Sequence, residues 1–418
     1  MSEIMNIIEN FKKPCSCGRI HETTVKDIRI GSGLVNNVGN ILKENGFSEN
    51  ILLVADINTL KAANGITESL KSFNVEMKIY DFLRVAEMKH VEEIEELIKN
   101  RDISVLSVGT GSVNDPCRLA AARQNKKLCI FATAPSMDGF ASDTSPIVKD
   151  GFKSSYAAKS PEVIIGDTKI LASAPVYLKS AGFGGMIAKY IGLIDWKISN
   201  LLTGEYYCER VAALTKNAVD ILMGMAQHVT ENNEETAGKI FESLLMTGIA
   251  MSFTKNSRPA SGSEHIVAHL IECLQLPSGV IPNYHGEDVG VCTLEMLKFY
   301  NRLAENESVT GVKESVDWDK VFEVYGNMSE DVRQLNFPEN IVDSVDPDKI
   351  GECWQEIREI IHSVPSYEDC KSAMEKAGCK ITVEDIEKDQ EYFDLCVRYS
   401  PYMRKRLTLL RLRDMIKA

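Results

Sequence analysis

At 418 residues the chain exceeds the length over which a single hydrophobic core keeps growing, so two domains are expected. Hydrophobic residues make up 44% and charged residues 26%, and a formal net charge of −13 leaves no basic surplus for a polyanion, so no nucleic acid partner is expected. No run approaches the roughly eighteen apolar residues of a membrane span.

The opening stretch, Met1 to Lys13, is polar and carries Glu3 and Glu9, which fits neither a secretory signal nor an acid-poor transit peptide. The cysteines number 11, an odd count without repeated spacing, so a disulfide framework is not expected and a cytoplasmic location is. Cys15, Cys17 and His21 form a tight cluster that suits zinc, but no fourth ligand follows nearby. The stretch therefore reads as a surface extension.

Short apolar runs follow at residues 50–55, 75–80, 103–108, 128–132 and 163–165, separated by charged amphipathic stretches such as 91–99. Buried parallel strands alternating with helices explain this pattern. The spacing predicts an α/β domain over residues 1–173, with a parallel, Rossmann-like sheet covered on both faces. From about Ala174 the periodicity turns helical, over 184–202, 208–231, 234–252, 263–274, 289–304 and 366–418. An all-α domain over residues 174–418 is expected.

Three segments carry chemistry. Val105 to Asp115 runs from a strand through Gly109-Thr110-Gly111 into a helix holding Ser112, Val113, Asn114 and Asp115. Such a turn brings backbone N–H groups up to a pyrophosphate, although plain glycine turns after strands are common. Thr133-Ala134-Pro135-Ser136, Asp138 and Ser142 lie just beyond the next strand's carboxyl end, where open sheets bind ligands. Asp56 also ends a strand; there a carboxylate serves either a ribose or a helix cap. Ser263 opens a helix whose His265 and His269 share a face, and His285 stands in a turn before Gly286. Those histidines read equally well as metal ligands and as packed side chains.

In this order, G-T-G-S-V-N-D, A-P-S-M-D-G-F-A-S, S-R-P-A-S-G-S-E-H-x₃-H and H-G-E-x-V-G resemble sn-glycerol-1-phosphate dehydrogenases. The likeness is to the bacterial AraM-type branch of the glycerol dehydrogenase and dehydroquinate synthase superfamily. It extends through residues 55–59, 165–168, 195–197 and 204–208 to the ending at 404–410, nearly the whole chain.

The resemblance implies NAD(H) or NADP(H) held by Asp56, Gly111 to Asp115, Thr133 to Ser136 and Ser142. It implies zinc or nickel on His265 and His285, with Asp138 and His269 against a phosphorylated three-carbon substrate. The implied reaction is reduction of dihydroxyacetone phosphate to sn-glycerol 1-phosphate, by a homo-oligomer. Lys153 and Arg258 are candidate partners for the substrate phosphate. One position departs from the pattern. The family's A-G-x-G-D supplies an aspartate as third metal ligand, and here that position is Gly185. Glu264, Glu287 or Asp138 could replace it, water could complete the shell, or the redox reaction could be lost. A weakened but active enzyme is the expectation. A dehydroquinate synthase-like lyase and a non-catalytic nucleotide-binding protein stand as alternatives.

Overall fold

The computed structural model describes residues 3–417. Each apolar run expected as a strand is one. β1 (Asp27–Gly31), β2 (Asn50–Asp56), β3 (Asn74–Tyr80), β4 (Ser104–Gly109) and β5 (Leu128–Ala132) precede an antiparallel pair, β6 (Thr144–Lys149) and β7 (Phe152–Ala157), and then β8 (Val163–Asp167). The main sheet has the order β1-β8-β5-β4-β2-β3, and every pairing in it is parallel. β4, β5 and β8 are buried at every position, which is why they read as unbroken apolar runs.

β1 escapes that reading because Asp27 and Arg29 interrupt it at the sheet edge. The β6–β7 pair does carry a signal. Asp150 (φ 51°) and Gly151 (φ 81°) link its strands, the positive-φ pair that a two-residue hairpin turn demands.

The helices are α1 (Glu3–Phe11), α2 (Val38–Glu44), α3 (Ile57–Ala62), α4 (Ile66–Ser69), α5 (Met88–Ile98), α6 (Gly111–Arg123) and α7 (Thr168–Ser173), then α8 (Val176–Ile187), α9 (Lys189–Thr203), α10 (Glu209–Met223), α11 (Glu234–Thr254), α12 (Ser263–Gln275) and α13 (His285–Ala304). Shorter helices carry the chain on to Tyr399. Among the described residues, no helix is long and apolar enough to cross a membrane.

Three expectations need correction. The N-terminal stretch is no surface extension: Ile4, Met5, Ile8 and Phe11 of α1 are buried, and so is His21. His285 does not stand in a turn but is the first residue of α13, whose entry is fixed by the Tyr284 N–H donating to Glu287 Oε2 at 3.1 Å. The C-terminal stretch is helical only over Tyr367–Lys376 and Gln390–Tyr399. Beyond Pro401, Leu407, Leu409, Leu410 and Leu412 are buried in turns rather than on one helical face.

α8 is the hinge of the arrangement. It lies between the 133–136 loop and α13, and glycines set both contacts. A Cβ on Gly182 would collide with the Pro135 carbonyl, and one on Gly286 with the Ala181 carbonyl. A Cβ on Gly184 would stand 2.5 Å from the Gly286 oxygen. Gly185, by contrast, has room: its Cβ would meet only the Gly286 Cα, at 3.9 Å. Denaturant unfolding should therefore separate these positions. Gly286→Ala should cost about 1–3 kcal/mol by overpacking, whereas Gly185→Ala should stabilise by about 0.5–1 kcal/mol through helix propensity. Equal effects at the two positions would contradict this packing.

Candidate active site

His265 and His269 project from one face of α12, and His285 meets them from the start of α13. The ring centroids lie 5.3 Å apart for His265–His285 and for His269–His285, and 6.1 Å apart for His265–His269. The three imidazoles are not equivalent. His265 Nδ1 lies 2.5 Å from Glu264 Oε1, and His285 Nδ1 lies 2.7 Å from Glu272 Oε1. An ionised carboxylate only accepts: Glu272 therefore fixes the hydrogen on His285 Nδ1, and Glu264, which burial pushes up to about 7, does the same for His265 Nδ1 once ionised, leaving both Nε2 lone pairs for a cation. His269 Nδ1 faces Arg404 Nη2 at 3.3 Å, and a guanidinium only donates. Nδ1 of His269 therefore accepts, and its Nε2 is the N–H donor. The contacts thus leave two rings with a free Nε2 lone pair and the third with an Nε2–H.

Burial pushes His265 and His269 well below the ordinary imidazole value, His265 with help from Lys189 and His269 from Lys153 and Arg404. Both are neutral near pH 7, as ligation and neutral donation require. Behind them, burial alone would raise the Glu272 carboxyl, but Lys153 and His285 outweigh it and hold it at about 2.

None of the three carboxylates proposed as substitutes at Gly185 is idle. Glu264 holds the His265 Nδ1 and accepts the Gly262 N–H at 3.0 Å. Glu287 caps α13 and pairs with Lys380 at 3.3 Å. Asp138 is ion-paired with Lys189 at 2.7 Å. Burial would raise the Asp138 carboxyl, yet Lys189 outweighs that, with His265 and His285 adding to the lowering. It is the one carboxylate among the three that faces both ligand histidines while keeping a fifth (20%) of its side chain open.

Positioning residues that the sequence did not flag surround this group. Arg118 is fully buried, pairs with Asp115 at 2.6 Å and donates to the Gly139 carbonyl at 2.6 Å, so it fixes the loop that carries Asp138. Lys189 donates to the Ala260 carbonyl at 3.0 Å as well as holding Asp138. Asp195 accepts from Ser263 N (2.7 Å), Tyr300 Oη (2.7 Å) and Leu409 N (2.8 Å), anchoring the start of α12 to α13 and the C-terminal segment. Of the two candidate phosphate partners, Lys153 stands at the site, paired with Glu272 and flanking His269. Arg258 does not. It is 3% exposed and spends its guanidinium on Glu205 (2.8 Å), the Leu407 carbonyl (2.8 Å) and Ser199 (3.2 Å).

The expected nucleotide residues line the carboxyl ends of β2, β4 and β5. Val113 and Asn114 amides donate to the Thr110 carbonyl at 3.1 and 2.8 Å, so the amides of Gly111 and Ser112 are the first-turn donors of α6 left to an anion. The Asn114 side chain is turned inward onto Ser107 (2.5 Å), and Val113 is buried. Thr133, Ala134 and Pro135 are buried behind β5, while Ser136 is partly open. Ser142 bonds Thr144 Oγ1 at 3.0 Å. Asp56 caps α3, accepting from the Thr59 N–H at 2.8 Å. A Cβ on Gly111 would lie 3.8 Å from Met137, so the two loops adjoin.

A parallel sheet with a glycine turn at the carboxyl end of β4, beside grouped histidines on a helical lobe, is the setting of a nucleotide-dependent dehydrogenase. Comparison with known proteins agrees. The family model described as iron-containing alcohol dehydrogenase matches residues 29–175. A glycerol-1-phosphate dehydrogenase of Halalkalibacterium halodurans is 27% identical over 98% of each chain. That of Thermococcus sibiricus is 32% identical, covering 65% of this chain and 76% of its own. Among solved structures, NADH-dependent butanol dehydrogenase A from Thermotoga maritima aligns with a TM-score of 0.64 and 15% identity, over 96% of this chain and 95% of that one. Sulfoacetaldehyde reductase from Bifidobacterium kashiwanohense aligns with 0.59 and 16%, over 91% of each. These two show the fold. The chain belongs to the glycerol-1-phosphate dehydrogenase family.

The Glu272 pair generates a pH prediction. Its folded value lies below its ordinary value of 4.5, so the ionised pair stabilises fully above that pH and is lost as pH falls toward 2. Glu272→Gln should cost about 3–5 kcal/mol at neutral pH, as for any buried pair deprived of one partner. In urea unfolding with chelator present, that deficit should shrink steadily below about pH 4.5. A deficit that stays constant down to about pH 2 would refute the assignment.

Proposed function

We propose that this chain reduces dihydroxyacetone phosphate to sn-glycerol 1-phosphate with NADH or NADPH in the cleft between β4, β5, α8 and α12. The observation that carries the reading is the opposed tautomers of the histidine group. His265 and His285 offer Nε2 lone pairs to one divalent cation, zinc or nickel, because imidazole suits both. When bound, that cation supplies Lewis-acid polarisation of a ketone oxygen, and the reduced dinucleotide supplies the hydride.

The chain's own residues do the rest. Gly111 and Ser112 amides at the start of α6 meet the pyrophosphate. Asp56 meets the ribose while capping α3, and the Thr133–Ser136 loop with Ser142 lines the nicotinamide side. Lys153 and Arg404 give the substrate phosphate its cationic partners, and both already flank His269. The Nε2–H of His269 points toward the substrate and stabilises developing negative charge at oxygen by hydrogen bonding, while the proton that completes the alcohol comes from solvent. Asp138, ionised beside Lys189, accepts from a substrate hydroxyl. Closure of α8 on the 133–136 loop excludes water from this face.

Gly185 leaves the cation with two fixed protein ligands, and Asp138, which feels both His265 and His285, is a candidate further oxygen donor. Metal affinity is therefore lower than a carboxylate at that position would confer. A Cβ at Gly185 has room, and Gly185→Asp should tighten zinc or nickel binding about tenfold or more and raise kcat/KM. Equal affinity in both proteins, by competition with a fluorescent chelator, would mean that a third ligand is already present.

Loss of NADH absorbance dependent on dihydroxyacetone phosphate tests the reaction itself; nucleotide binding without turnover would sink it. Arg404→Ala should raise KM for dihydroxyacetone phosphate while leaving that for unphosphorylated dihydroxyacetone little changed. His269→Ala should lower kcat by about 10²-fold or more.

A further inference from the structure

Far from the cleft, the sequence cluster Cys15, Cys17 and His21 acquires the partner it lacked. Cys208, in the loop that leads into α10, brings its sulfur to 3.7 Å from Cys15 Sγ and 3.4 Å from His21 Nε2, and Cys17 Sγ lies 3.5 Å from the same nitrogen. All four donor atoms lie within 4.8 Å of one another.

Those separations are the edges of a metal tetrahedron. With Zn–S about 2.3 Å and Zn–N about 2.0–2.1 Å at tetrahedral angles, sulfurs stand about 3.8 Å apart and sulfur stands about 3.5 Å from nitrogen. They are far from a disulfide, whose sulfurs sit about 2.0 Å apart.

The surroundings are those of a metal site as well. His21 is fully buried, and its Nδ1 faces the Phe253 carbonyl at 3.3 Å. A carbonyl only accepts, so Nδ1 carries the hydrogen and the Nε2 lone pair points into the cluster. Phe11 and Phe253 pack against the ring at 5.7 Å each and hold its plane. The Gly18 N–H donates to the Cys15 carbonyl at 2.9 Å, and Gly18 has φ 80°, folding the two cysteines into one tight turn. Tyr206 Oη lies 3.5 Å from Cys17 Sγ, close enough to donate to a thiolate, and the Arg19 guanidinium stacks on the Tyr206 ring at 3.5 Å.

We propose that Cys15, Cys17, His21 and Cys208 bind a structural zinc ion that fastens the N-terminal segment to the start of α10. Binding forms three Zn–S bonds and one Zn–N bond and releases the three thiol protons to solvent, leaving one net negative charge beside Arg19. Four protein ligands fill the tetrahedron, so no position is open for substrate. The soft thiolates select zinc over the hard cations.

The test uses the full chain. Zinc is replaced by cobalt(II), and the near-ultraviolet spectrum is read for thiolate-to-cobalt charge transfer. The histidine group in the cleft has no sulfur ligand and cannot produce that band. It should be present in the parent protein and in Gly185→Asp, retained in Cys353→Ser, and lost in Cys17→Ser and in Cys208→Ser. Each of the last two should also lose about one equivalent of zinc per chain by elemental analysis. Should those variants fail to fold, chelation of the parent remains informative: tryptic cleavage after Lys12 and Arg19 should accelerate about tenfold or more once the zinc is stripped. Absence of the band in the parent, a Cys15–Cys208 disulfide in freshly purified protein, or unchanged zinc content in both cysteine variants would overturn the proposal.

Discussion

Three glycines decide where everything else stands. Gly182 lets α8 rest on the backbone of the 133–136 loop, and Gly184 and Gly286 let it rest on the backbone of α13. Side chains at those positions would prise the layers apart by the width of a methyl group or more. His285 opens α13 and Asp138 follows the 133–136 loop, so the contacts that seat α8 also set the distance between the two sides of the cleft. Gly248 does similar work from α11, where a Cβ would stand 2.6 Å from the Asp138 carbonyl oxygen.

Within that frame the site's chemistry is settled one atom away from the reacting groups. His265, His269 and His285 are identical side chains within 6.1 Å of one another, yet they take different roles because Glu264, Arg404 and Glu272 occupy their Nδ1 atoms. Acceptors behind two rings and a donor behind the third leave two Nε2 lone pairs and one Nε2–H facing the cleft. Burial, with Lys189 beside His265 and with Lys153 and Arg404 beside His269, holds those two rings neutral, so cations gather on the same side of the cleft. Gly185 is the exception. It is the glycine of α8 that no close approach requires.

Much of the molecule was legible from residue order. The buried strands declared themselves because a strand covered on both faces is apolar at every position, as β4, β5 and β8 are. The helix carrying His265 and His269 followed from their four-residue spacing. What escaped was whatever depends on distant segments. Arg258 looked available for phosphate because nothing local shows Glu205 and Leu407 closing around it. The start of α13 was placed four residues late because its first turn, His-Gly-Glu-Asp, has no apolar periodicity. Asp150-Gly151 is a local signal, since Asp-Gly tolerates the two positive φ values of a two-residue hairpin turn.

The amino-acid order by itself determined the alternation of strands and helices and the family likeness, because periodicity and local spacing are properties of neighbours. Tertiary structure alone decided which ring nitrogen carries each hydrogen, which cations are spent on ion pairs, and that Cys208 meets Cys15, Cys17 and His21 across 187 residues of chain from His21. Those outcomes depend on contacts between segments remote in sequence. No local pattern encodes them, since the distance along the chain says nothing of the distance through space.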